Sequence, residues 1–435
     1  DSDWEENGYM DDVLDLVMKW IEKHKPDSLN VSVKKIAGRT PLIILDYPGK
    51  QDGNILMYGH LDKQPEMDGW REGTGPWIPL LENDKLFGRG GADDGYAVFA
   101  VMATILALRK FNLDHPRITG IIEFSEESGS PDLPAYLNEF ENEIGKPDLV
   151  ICLDSGAGNY DQFWMTTSLR GLIGVSVRID VLNEGVHSGG ASGLVPSSFR
   201  ILRQLLSRIE DEQTGEIKID GFYTEIPKYR QEDMEECVNV LGEKIITVFP
   251  WFENMEPSTQ NLTKALKKLT WEPTLSVVGV SGAPDVDNAG NVLRPYTEVK
   301  LSLRLPPTVD SKVAQEKLKS ILLENPPYNA KITLEFEEPA DGWSAPEMSK
   351  ELSNSVNDAS VNWFGKPAVS MGEGGTIPFM AMLGKKYPNA QFVITGVLGP
   401  ESNAHGPNEF LHIPFVKVLN CCIVDIVINY KPNRG

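Results

Sequence analysis

Cysteine is scarce, with four in 435 residues, at Cys152, Cys237, Cys421 and Cys422. They make no zinc-finger or redox spacing, and adjacent cysteines rarely bridge each other. Neither a disulfide framework nor a thiolate metal site is therefore expected. The four read as small buried hydrophobes in a reducing, cytoplasmic setting. Positive charge is also short: 41 Lys plus Arg stand against 63 Asp plus Glu, a net charge of −22. So acidic a surface repels nucleic acid and anionic lipid, and neither is an expected partner. No apolar run in the sequence approaches the ~18 residues of a membrane span. Residues 1–7 are polar and acidic, without the basic region or apolar core of a secretory leader. Internal repeats and low-complexity tracts are missing too.

What is present is an ordinary globular composition, 41% hydrophobic, long enough for two or three domains of ~100–200 residues. Met10, Val13, Leu14, Val17, Trp20 and Ile21 share one helical face, and Pro26 ends the run. Short apolar runs at 42–45, 55–58, 118–124 and 149–153 alternate with an all-round apolar stretch at 96–109. That pattern predicts an α/β layer, a sheet flanked by helices. The middle differs. Strands are expected at 172–182, 274–280, 297–305 and 331–338, with helices at 196–208 and 311–323. The order β-α-β-β-α-β is the ferredoxin-like signature. A polar stretch near 211–268 looks like an insertion within it, and an apolar helix at 413–430 closes the chain. We therefore expect a first catalytic segment at 1–170, an inserted α+β lid or dimerisation domain at 171–340, and a second catalytic segment at 341–435.

The chemistry-bearing residues gather where strands end, which is where open α/β sheets bind ligands. His60 and Asp62 follow the run at 55–58, and Glu126 and Glu127 follow 118–124. Asp154 follows 149–153, Asp93 and Asp94 follow Gly88-Arg89-Gly90-Gly91, and His405 comes late. Histidines with carboxylates suit zinc, and a carboxylate can bridge two ions ~3.5–4 Å apart. Asp93 is the natural bridge, between the His60 and Glu127 motifs. Asp62, two residues after His60, supports that ring. Adjacent Glu126 and Glu127 cannot point the same way along a strand, so one can hold metal while the other faces water. Gly88-Arg89-Gly90-Gly91 lacks the Gly-Lys-Ser/Thr ending of a phosphate cradle and reads as a turn. Taken alone, each piece reads more simply as a surface ion pair, a solvated face or a turn. Order and placement together argue for a site.

In that order, the elements from Gly59 to Asn408 resemble the di-zinc metallopeptidase family of carnosinases, aminoacylases, glutamate carboxypeptidases and succinyl-diaminopimelate desuccinylases. The resemblance implies that His60 and Asp154 hold one zinc, that Glu127 and His405 hold the other, and that Asp93 bridges them. Two zinc ions per subunit follow, with manganese or cobalt as substitutes. It further implies a cis Asp93–Asp94 peptide and Glu126 as general base for the attacking water. His187, in Val186-His187-Ser188-Gly189-Gly190, resembles a histidine that reaches a partner subunit's site, which implies a homodimer joined through the inserted domain. Arg304 resembles an arginine that clamps a substrate carboxylate. Gly374, Gly375 and Thr376 resemble a substrate-side loop, although Gly372 stands where many peptidase members carry a basic residue. His24, His115 and His412 lie outside every motif and read as structural. The function so implied is hydrolysis of short peptides by a dipeptidase or aminopeptidase. An N-acyl amino-acid deacylase would use the same parts. A non-enzymatic binding module would have lost a ligand or the base, and none is lost here.

Overall fold

The computed structural model describes residues 4–432. The longer strands are β1 (Asn30–Lys34), β2 (Leu42–Tyr47), β3 (Asn54–His60), β4 (Arg117–Glu123), β5 (Leu149–Cys152), β6 (Trp164–Leu169), β7 (Gly171–Asp180), β8 (Thr274–Ser281), β9 (Tyr296–Leu305), β10 (Lys331–Phe336), β11 (Val369–Glu373) and β12 (Gln391–Ile394). The main helices are α1 (Tyr9–His24), α2 (Ala97–Phe111), α3 (Ser198–Ile209), α4 (Lys228–Leu241), α5 (Leu262–Thr270), α6 (Ser311–Leu323), α7 (Lys350–Phe364) and α8 (Ile413–Asn429).

The main sheet runs β1-β2-β4-β3-β5-β12. β3 lies parallel to β4 and β5, and β12 parallel to β5, while β1 and β2 join antiparallel at one edge. Every residue of β3 is buried, as a central strand covered on both faces must be. Alternate side chains of β2 feed two cores: Ile43 and Leu45 pack on the α1, α2 and α8 side, Leu42 and Ile44 on the other. The parallel strands all deliver their carboxyl ends to one edge, so the loops after β3, β4 and β5 meet there.

The segment 91–111, which includes α2, is long and apolar enough to cross a membrane, contrary to the expectation from sequence. Its helix is buried against β3 and α8, and 67% of its apolar window lies inside the protein. It is a core helix.

The four strands β8, β9, β7 and β10 form a second, antiparallel sheet in that order. Chain order β7-α3-β8-β9-α6-β10 makes this the ferredoxin-like arrangement. α3 and α6 cover one face, with Ile201, Leu205 and Leu318 packed on Val175, Val177 and Leu301. β8 is an edge strand whose Val277, Val278 and Val280 are exposed. The polar stretch between α3 and β8 folds into α4 and α5, which pack on β11. Met234, Cys237 and Leu266 from these helices share the core of the main sheet. All four cysteines are free, three of them buried.

Candidate metal centre

Each candidate ligand reaches the carboxyl edge of the main sheet by its own route. His60 is the last residue of β3 and is fully buried. Asp154 stands two residues after β5. Glu126 and Glu127 follow β4 in a short 3-10 turn, not in the strand itself, and the turn separates their side chains. Asp93 precedes α2, and its peptide bond to Asp94 is cis. His405 comes from the loop after β12 and has a left-handed backbone, with φ of 63°.

Asp93 faces two ways. Its Oδ1 lies 3.5 Å from His60 Nε2, and its Oδ2 lies 2.8 Å from His405 Nε2. On the first side, Asp154 Oδ2 is 3.8 Å and Glu126 Oε2 4.0 Å from His60 Nε2. On the second, Glu127 Oε2 is 3.4 Å from His405 Nε2. Donor atoms of His60, Glu126 and Asp154 fall within 4.8 Å of one another, as do those of His60, Asp93 and Glu127.

The electrostatics call for cations. Burial and the Asp154 charge raise Glu126 well above the usual carboxylate range. Burial pushes Asp154 up to about 7, although the His60 charge draws it down. Burial opposes ionisation of Asp93, yet the hydrogen bond from His405 and the His60 ring beside it hold it well below its ordinary value. Burial disfavours a charged His60, but Asp154 and its other acidic neighbours raise it overall. Among the described residues, His60 Nε2 is buried without a hydrogen-bond partner, a costly state for a ring nitrogen unless a further group satisfies it. Borderline nitrogen and hard oxygen donors crowded around such an orphan fit divalent ions.

Asp62 sits behind this layer. Its carboxylate is 3.3 Å from His60 Nδ1 and accepts the main-chain N–H of Glu126 at 3.1 Å and of Glu127 at 2.9 Å. It therefore orients one ring and one turn together. Gln64, not singled out from sequence, donates to Glu127 Oε2 at 2.6 Å.

A cleft of about 350 Å³ opens over Asp93, Glu126, Glu127, Asp154 and His405, with Glu373 and Thr376 on its far wall. Glu373 also escaped the sequence reading. Its Oε1 accepts from Ser155 Oγ, Gly156 N and Thr166 Oγ1 at 2.9–3.0 Å. Thr376 accepts a hydrogen bond from Arg304 Nη1 at 3.0 Å. Arg304 has no ion-pair partner among the described residues, and burial lowers its pKa. Burial and Arg304 also push Arg170 down to about 10. Arg170 donates to the carbonyls of Gly374, Lys268 and Glu272, tying the glycine loop to the end of α5. The same packing explains Gly372 and Gly374. A Cβ at Gly372 would meet Ser168 Oγ at 2.5 Å, and one at Gly374 would meet Leu269 O at 2.8 Å. Neither position has room for a side chain. Gly375 is open to solvent.

His187 does not join this cleft. It is exposed, in a two-residue strand paired with Val292–Leu293, and its ring caps no helix. His24 bonds Trp20 O, His115 stacks on Tyr47, and His412 accepts the Phe415 N–H at the start of α8.

A mixed α/β sheet carrying crowded carboxylates and imidazoles on its carboxyl edge, with a ferredoxin-like insert, is the arrangement of a metal-dependent hydrolase. Sequence comparison narrows the class: the profile of Peptidase family M20/M25/M40 matches residues 56–424, and the chain belongs to that family. It is 26% identical over 373 residues to a cysteinylglycine-S-conjugate dipeptidase of Corynebacterium striatum, covering 82% of this chain and 76% of the relative. Among solved structures, the dipeptidase Dug1p of Saccharomyces cerevisiae superposes with a TM-score of 0.75 at 20% identity, over 97% of this chain and 91% of that one. An M20 metallo-carboxypeptidase of Sulfolobus solfataricus also gives 0.75, at 24% identity over 97% and 94%. The protein is a metallopeptidase.

Proposed function

We propose that the protein is a two-metal dipeptidase acting on peptides with a free amino terminus. The two-faced Asp93, with one oxygen toward His60 and the other toward His405, carries this reading. His60 and Asp154 would hold one ion, Glu127 and His405 the other, and Asp93 both. Zinc suits these donors, and manganese or cobalt could replace it. When bound, the ions would polarise the substrate carbonyl and acidify the attacking water.

The chain's own residues do the rest. Glu126, raised by burial, takes the proton from the attacking water and passes it to the leaving amine. Asp62 keeps the Glu126–Glu127 turn and the His60 ring in register. Glu373, fixed through one oxygen, offers negative charge on the cleft wall to a substrate ammonium. Arg304, without an acidic partner among the described residues, offers a guanidinium fork beside Thr376 to the substrate carboxylate, and the amides of Gly374 and Gly375 border it. Opposite charges at the two ends favour a free dipeptide over an N-acyl amino acid. The name of the Corynebacterium striatum relative agrees with that preference.

The exposed His187 fits a role in a partner subunit, with residues 171–340 as the inserted unit that forms a homodimer. A fully active, monodisperse monomer in sedimentation would contradict that. Four free cysteines fit a cytoplasmic setting.

A matched panel tests the substrate assignment. Free dipeptides, their C-terminal amides and N-acetyl amino acids should be cleaved in that order of kcat/KM. Cleavage confined to the acetylated members would make the enzyme a deacylase. Arg304→Ala should raise KM for free dipeptides about 10–100-fold, the worth of a charge-assisted bond, and leave the amides unaffected. Equal losses on both would remove the clamp role.

A further inference from the structure

The turn at Gly88–Gly91 does cradle an anion, but the anion belongs to the chain. Glu409 Oε2 accepts from Gly90 N at 3.0 Å and from Arg89 Nη1 at 2.8 Å. Its Oε1 accepts from Ala92 N and Asp93 N, both at 3.2 Å. Both side chains of the pair are buried, at 1% and 0% exposure. A buried pair of this kind is tolerated because Glu409 accepts four hydrogen bonds and Arg89 donates four. Arg89 then reaches on: its Nη2 donates to His405 O at 3.1 Å, and its Nε to Pro65 O at 3.2 Å.

The pair therefore grips two ligand-bearing segments at once. It holds the main chain of Asp93 through Glu409 and that of His405 through Arg89. His405 needs such a grip. Its ring is half-exposed, and Asn403, His405 and Asn408 all have left-handed backbones, at φ of 56°, 63° and 60°. Asparagine and histidine tolerate that conformation better than other side chains do, but it still carries a cost that surrounding contacts offset. The opposite side of the centre has other support. His60 is locked in β3, and its ring rests on Asp62.

We infer that Arg89 and Glu409 are positioning residues for the His405-side ion, setting the gap between Asp93 Oδ2 and His405 Nε2. This rests on the two-ion reading proposed above. The two are separable by titrating metal-free protein with Zn²⁺ in a calorimeter. Wild-type protein should take up two ions; uptake of one alone would remove the two-ion reading and this inference with it. Glu409→Gln keeps the shape, but its amide nitrogen faces N–H donors. It should weaken one ion by roughly 10–100-fold and the other by no more than about threefold. The weakened ion should be the one that His405→Ala loses. A general loss of folding would weaken both alike, so the asymmetry separates positioning from stability. A folded Glu409→Gln that binds both ions as wild type, or loses both equally, overturns the inference. Should that variant not fold, Arg89→Lys poses the same question, because it keeps the charge and loses the second arm to His405 O. It should weaken the same ion, and wild-type binding by it would be equally decisive against the inference.

Discussion

Glu126→Gln should retain both ions and lose about 10²–10⁴-fold in kcat, the usual worth of a positioned general base. The substitution keeps the volume and removes only the proton-accepting charge. The turn that carries it should survive, because Asp62 holds the main-chain N–H groups of residues 126 and 127, not the side chain. Glu126 faces the cleft and is deeply buried, and burial with the Asp154 charge raises its affinity for a proton. Such a carboxylate holds a proton more readily than an exposed one, which suits it to take one from the attacking water. The check is kcat together with metal content on one preparation. Near-normal turnover with both ions present would place the base elsewhere.

Asp93→Ala should do more. It removes the oxygens that face His60 Nε2 at 3.5 Å and His405 Nε2 at 2.8 Å, so neither ion keeps its shared ligand. Two-ion occupancy should collapse. Losing the Lewis-acid contribution, several kcal/mol, corresponds to at least about a 10³-fold fall in kcat. His405→Ala, by contrast, should cost one ion. Metal content by atomic emission, read beside kcat, distinguishes the two. Full two-ion occupancy in Asp93→Ala would remove the bridging assignment.

Much of this centre could be read in advance because its residues follow apolar runs. β3, β4 and β5 are legible as short apolar runs of an α/β sheet, and the structure pairs them in parallel, so one set of strand ends delivers His60, Glu126, Glu127 and Asp154. The ferredoxin-like unit was legible for a similar reason: its strand and helix periods alternate in an order that few folds use. The supports were not legible. Glu409 looks like one more acid in an acidic chain until the fold brings it 320 positions back to Arg89. Glu373 and Arg170 are likewise defined by partners more than 200 positions away. The 211–268 stretch reads as polar because α4 and α5 bury only one stripe each, and no local pattern says that the stripe meets β11. Gly372 shows the consequence. Its lack of a side chain follows from Thr270 and Ser168 filling the space. The all-round apolar stretch at 96–109 was legible as a buried helix, and the structure packs it between β3 and α8, although its composition alone would also suit a membrane span.

The central claim is that two ions, held around Asp93, drive peptide hydrolysis. It is tested most directly by stripping the protein with a chelator and restoring Zn²⁺ stepwise while following hydrolysis of a free dipeptide. The account predicts loss of activity on stripping and recovery that levels off at two equivalents. Undiminished hydrolysis by metal-free protein, or full recovery at one equivalent, would contradict it.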